Sequence, residues 1–115
     1  MSHILHITTT TAWEAAQQAG DYRADSLQAE GFIHLSTPEQ VLWVANSRFR
    51  GHPSLVLLVV DPARVRAEVR WELPSDSDRA WLFPHIYGPI NLDAVVRVVP
   101  FPPGPDGLFG LPVGV

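Results

Sequence analysis

The 115-residue sequence predicts an α+β fold, and three observations carry that prediction. Two short period-two stretches each run into helix-start signals, one apolar run has the composition of a central strand, and one segment alternates strictly between apolar and charged residues. A single domain is expected over residues 1–100, followed by a Pro/Gly-rich tail over 101–115.

Ile4-Leu5-His6-Ile7-Thr8 is the first predicted strand. Thr11-Ala12-Trp13-Glu14 has the Thr-x-x-Glu form of a capping box that opens a helix, and Gly20 closes it. Ala12, Ala15, Ala16 and Ala19 form a small-residue stripe that lets this helix lie close to a sheet. A helical turn is expected around Ser26 to Glu30, then a strand over Phe32-Ile33-His34-Leu35-Ser36. Thr37-Pro38-Glu39-Gln40 places Thr at the N-cap, Pro at the first helical position and Gln at N3. The helix it starts carries a stripe of Val41, Val44, Ala45 and Phe49 and ends before Gly51.

Leu55 to Val60 is continuously apolar and branched, the pattern of a strand covered on both faces, and Asp61-Pro62 stops it. Val65, Ala67, Val69, Trp71 and Leu73 alternate with Arg66, Glu68, Arg70 and Glu72, a strand with one wet face. Pro74 to Arg79 reads as a polar loop. Phe83 to Pro89 is bracketed by prolines and is expected as a short or edge strand. Asn91 to Ala94 turns the chain into a last strand over Val95 to Val99.

Composition excludes several classes. A net charge of −4 offers no basic footprint for duplex nucleic acid. All eight positive side chains are Arg, so Schiff-base, P-loop and pyridoxal-phosphate lysines are ruled out. With no Cys there is no disulfide, thiolate nucleophile or cysteine metal site, which points to a reducing cytoplasm. The first residues lack an export signal, and the longest apolar run is too short to span a bilayer, so neither export nor membrane insertion is expected.

His6 shares a strand face with Thr8, and His34 with Ser36, so each strand offers an imidazole beside a hydroxyl. Both strands run into a helix N-terminus, where free N–H groups favour an anion, and a small phosphorylated ligand is the expected partner. The competing account has each His–hydroxyl pair satisfying its own hydrogen bonds. His85 and Tyr87 share a face in their segment, and Glu72 is a further acid or base, although its place on the alternating charged face usually means solvent. Ser26, Gln40 and Asn46 are polar pocket candidates whose commoner roles are caps and exposed helix positions. His3 and His52 are set aside. Close-spaced metal-ligand pairs are missing, so no metal is firmly implied.

At Ile4–Thr8, Ser26–Ser36, Gln40, Asn46, Trp71-Glu72 and Phe83–Pro89 the chain resembles a small bacterial family known as domain of unknown function 952, over nearly all its length to about Pro100. The resemblance implies the ADP-ribosyltransferase fold: split, bent antiparallel β-sheets with flanking helices and NAD in the central cleft. It implies that His6, followed by Thr8, matches the first-strand histidine that holds the NAD ribose, and that His34 with Ser36 matches the second-strand position. Histidine at that second position resembles the branch of the RNA 2′-phosphotransferases, and Glu72 or His85 would supply the third role.

The expected site therefore has His6, His34, Glu72 and His85 as catalytic groups and Thr8, Ser36, Gln40 and Tyr87 as NAD-binding groups. The expected function is an NAD-using ADP-ribosyl or 2′-phosphotransferase. The alternatives are a non-catalytic nucleotide or small-anion binder and a metal-dependent hydrolase. His6 and His34 are expected side by side facing one pocket, with Phe32, Trp43, Val44, Leu57 and Val59 buried and the tail after Pro102 mobile.

Overall fold

The computed structural model describes residues 3–73 and 81–115. The polar loop expected at Pro74 to Arg79 lies outside them. The element order is β1 (Ile4–Thr9), α1 (Thr10–Ala19), β2 (Asp21–Tyr22), α2 (Asp25–Glu30), β3 (Ile33–His34), α3 (Pro38–Arg48), β4 (Leu55–Val60), β5 (Glu68–Glu72), β6 (Phe83–Tyr87), β7 (Ile90–Asn91) and β8 (Val95–Pro100). Short 3₁₀ turns at Pro62–Arg64 and Leu92–Ala94 connect the later strands. This is an α+β arrangement of antiparallel sheets: β1-β4-β8, β3-β6-β5 and the small pair β2-β7.

Among the described residues the two larger sheets are joined by one backbone-paired position. Leu5 N–H donates to Ser36 C=O at 2.7 Å and Ser36 N–H to Leu5 C=O at 2.8 Å, one bonded antiparallel pair with no ladder beyond it. Directly opposed residues share a face. Leu5 and Ile7 therefore lie on the side of Ser36 and His34, whereas His6 and Thr8 lie on the side of Ile33 and Leu35. Two cores follow from this parity. Ile4, Ile33, Leu35, Leu58 and Ile86 pack with Ala16 of α1 and Tyr22 on one side. Leu5, Leu57 and Val59 pack with Val41 and Ala45 of α3 on the other. Completely buried side chains such as Ile33, Leu57 and Ile86 each contribute about 1.5–3 kcal/mol.

The second helix start is as the sequence predicts: Thr37 N–H donates to Gln40 Oε1 at 3.0 Å, with Pro38 at the first helical position. The first is displaced. Thr9, not Thr11, caps α1, its Oγ1 accepting from Ala12 N–H at 3.0 Å, because Thr10 and Thr11 already have helical backbone. Of the alanine stripe, Ala16 is buried while Ala15 and Ala19 face outward.

Three further expectations are corrected. The Phe83–Pro89 segment supplies β6, the middle strand of its sheet rather than an edge. Pro84 is tolerated because its carbonyl accepts from Leu35 N–H at 3.0 Å while its missing N–H falls at the end of the β3 pairing. Leu57 and Val59 are buried as expected, but Phe32, Trp43 and Val44 are only half-buried because they border open space. The segment after Pro100 is not a partnerless tail. Phe101 is fully buried, Phe109 stacks on it at 4.7 Å, and Phe109 N–H donates to Asn46 Oδ1 at 2.7 Å. Apolar side chains from this segment complete the core around α3.

Candidate functional site

In an antiparallel ladder the bonded pairs recur every second residue. After Leu5 and Ser36 the next bonded pair would be Ile7 with His34, yet neither of its two backbone bonds forms. The strands part there, and a cleft opens over the split. Its lining comes from Leu5, His6 and Ile7 of β1, from Ser26, from His34, Leu35 and Ser36, from Phe83 and His85 of β6, and from the α3 wall of Trp43, Val44, Arg48 and Phe49. The enclosed volume is about 200 Å³. That is less than the ~300–1,000 Å³ of pockets for drug-sized ligands, so it suits one ring and its substituents.

His6 borders this cleft, but both of its ring nitrogens are committed to protein partners. Its ring is buried on the opposite side of the sheet, where Nδ1–H donates to the His34 carbonyl at 2.7 Å and Nε2 lies 2.8 Å from the Tyr22 hydroxyl. Tyr22 Oη is in turn 2.9 Å from Thr8 Oγ1. Burial lowers the His6 pKa from 6.5 to about 4, against the opposing pull of the His34 carbonyl bond. The ring is therefore neutral, its Nε2 carries a lone pair, and the single Tyr22 proton is drawn to it while the Thr8 hydroxyl bonds Tyr22. Thr8 is thus spent on this internal network. His6 and His34 are neighbours that line the same cleft, but they do not share a sheet face, because the register at Leu5 and Ser36 puts odd residues of β1 opposite even residues of β3.

On the cleft side, His34 and His85 are directly opposed on β3 and β6, their rings edge to face at 5.2 Å. His34 is 46% exposed and pairs through Nε2 with Glu30 at 3.0 Å. His85 is 5% exposed. Phe32 stacks on it at 4.2 Å, and its Nδ1–H donates to Glu72 Oε1 at 2.8 Å. The same oxygen accepts from the Tyr87 hydroxyl at 2.6 Å. The Tyr87 bond first, and the His85 bond second, hold the Glu72 carboxyl below its ordinary range, while Glu72 pushes the Tyr87 hydroxyl up. Arg70 lies over the Tyr87 ring at 4.5 Å.

This arrangement fixes one tautomer of His85. With Nδ1–H committed to a carboxylate, Nε2 is left to accept a proton. It has no hydrogen-bond partner among the described residues, and neither does the Ser36 hydroxyl. No buried side-chain nitrogen or oxygen there is sealed without a partner, so both reach the open cleft. Ser36 and His85 are thus available to a ligand. Gln40 is not: its Oε1 caps α3 and its Nε2 donates to the Leu82 carbonyl at 2.7 Å. Tyr87 acts on Glu72 rather than on the cavity.

The two helix N-termini are already capped from within the chain, α1 by the Thr9 hydroxyl and α3 by Gln40. Among the described residues no three potential ligands group to hold a metal ion, and no helix is long and apolar enough to cross a membrane. Sequence reasoning missed the Ile7 backbone, Tyr22, Phe32 and the α3 wall. Only the last carried a signal, in the apolar spacing of α3; the others depend on cross-strand register.

Fold and site define a small α+β protein of antiparallel sheets with a histidine-bearing cleft where two sheets part. A family model described as protein of unknown function (DUF952) matches residues 7–98, and the chain belongs to that family. A search of curated proteins finds no match. Among solved structures, the crystal structure of protein CC0527 from Caulobacter crescentus is similar, at 32% identity and a TM-score of 0.84 over 96% of this chain and 95% of that one. The solution NMR structure of CC0527 gives 33% identity and a TM-score of 0.80, covering 94% and 91%.

Proposed function

We propose that the cleft binds the nicotinamide end of NAD and that the protein is an NAD-using transferase of the ADP-ribosyl or 2′-phosphotransferase type. The observation that carries this is the interrupted ladder at Ile7 and His34, open beside the Glu72–His85 pair. Ile7 directs its N–H and C=O into the split, as a strand edge does toward a missing neighbour. A primary carboxamide presents the matching acceptor and donor in one plane. The cavity accommodates the pyridine ring and part of its ribose, and the rest of the dinucleotide would lie outside.

In the reaction envisaged, the ribose C1′–N bond breaks with its electron pair going to the pyridinium, and an acceptor hydroxyl oxygen bonds to C1′. His85 Nε2 takes the proton that oxygen loses, and Glu72 stabilises the imidazolium. Ser36 bonds a ribose hydroxyl. The cysteine-free composition fits a cytoplasmic setting.

Thermal denaturation with NAD, ADP-ribose, nicotinamide, phosphate or zinc, with assay of nicotinamide release, tests this. NAD at a hundred times its Kd adds about 2.7 kcal/mol, a rise on the order of 10 °C for a chain of this size. His85→Ala is expected to slow nicotinamide release by roughly 10²–10⁴-fold. Stabilisation by NAD without release makes the protein a nucleotide binder, stabilisation by zinc alone favours the hydrolase, and no response to NAD or nicotinamide removes the proposal.

A further inference from the structure

We propose that His6 is a wedge: a positioning residue that keeps β1 and β3 apart and so creates the ligand-binding edge, its own ring nitrogens both committed to protein partners. This rests on the cleft being the binding site. A closed ladder would have the His34 carbonyl accept from Ile7 N–H. Instead that carbonyl accepts from His6 Nδ1–H at 2.7 Å. The acceptor needed to close the strands is therefore occupied by a side chain coming from the far face of the sheet.

The ring is held at both ends. Its Nε2 lies 2.8 Å from the Tyr22 hydroxyl, which is anchored 2.9 Å from Thr8, and His6 is only 7% exposed. Swinging the imidazole away would leave buried polar atoms unpaired, which is strongly disfavoured. The arrangement gives up both backbone bonds of the Ile7–His34 pair and regains one through the imidazole. What it leaves facing the cleft is Ile7 N–H, Ile7 C=O and His34 N–H. Such an edge selects a planar amide-bearing ligand over a bare phosphate, because it offers an acceptor as well as donors.

Backbone amide exchange by NMR, with a nicotinamide and NAD titration, tests the wedge on wild type, His6→Leu and His6→Gln. Leucine fills the space but has no donor for the His34 carbonyl, and Tyr22 keeps Thr8 as a partner. Glutamine retains an N–H. In wild type the Ile7 amide should exchange at least about tenfold faster than the Leu5 amide, which is bonded to Ser36. In His6→Leu the Ile7 and His34 amides should become protected by about tenfold, and nicotinamide binding should weaken by a similar factor. His6→Gln should stay close to wild type in both. Equal protection of Ile7 and Leu5 in wild type overturns the wedge even if His6→Leu does not fold. So does a folded His6→Leu with unchanged exchange at Ile7. If wild type binds neither nicotinamide nor NAD, the binding proposal fails while the exchange rates still decide the wedge.

Discussion

Replacing Phe101 with alanine is expected to destabilise the protein by about 3–5 kcal/mol, read as a lower urea midpoint at unchanged slope. Phe101 is completely buried, and its N–H donates to the Leu55 carbonyl at 2.9 Å, extending the β4–β8 pairing by one residue. Its ring packs against Phe109 at 4.7 Å in the core that also holds Val41 and Ala45 of α3. Truncation removes the transfer free energy of the ring and leaves a cavity between elements fixed by other contacts. For a chain whose total stability is on the order of 5–15 kcal/mol, the loss is large. A change below about 1 kcal/mol would mean that residues 101–115 are an appendage on a domain ending near Pro100.

Acidification is expected to remove about 3 kcal/mol of stability between pH 6.5 and 4 through His6 alone. The direction follows from which state binds the proton. The unfolded His6 protonates near 6.5, whereas the buried ring stays neutral until about 4. The unfolded state therefore holds more protons in that window, and stability, complete above pH 6.5, falls as the pH drops through the folded value. His6→Gln has no such titration and should lack this component. Urea titrations of both proteins at several pH values measure it. Parallel curves would show that the His6 ring is hydrated or already charged.

The sequence carried the elements better than their mutual placement. Leu55–Val60 reads as a covered central strand because every residue in it is apolar and branched, and β4 is that strand, fully buried and paired on both sides. Thr37 and Gln40 mark the start of α3 because a capping box is a local device. The two histidines illustrate the limit. Alternation shows which residues of one strand share a face, but the relation between two strands depends on register, and the pairing of Leu5 with Ser36 sends His6 and His34 to opposite sides. Glu72 reads as a solvated residue by the same alternation. It meets His85 and Tyr87 only because β5 pairs with β6 across the segment at Pro74 to Arg79, a contact no local pattern encodes.

The site is accordingly divided between two faces. His6, His34, Ser36 and His85 border the cleft, Glu72 bonds His85, and the His6 ring joins Tyr22 and Thr8 in a network on the other face. The resemblance implies a ribose contact for His6, whereas its ring nitrogens bond the His34 carbonyl and the Tyr22 hydroxyl.

A ¹H–¹⁵N titration of the wild-type protein with nicotinamide, then with NAD, decides whether the split holds the ligand. A ligand seated in the split should shift the Ile7 and His34 amides first and furthest, with smaller changes at Ser36 and His85. Saturable shifts confined to other parts of the chain, or no shifts at millimolar nicotinamide and NAD, would contradict it.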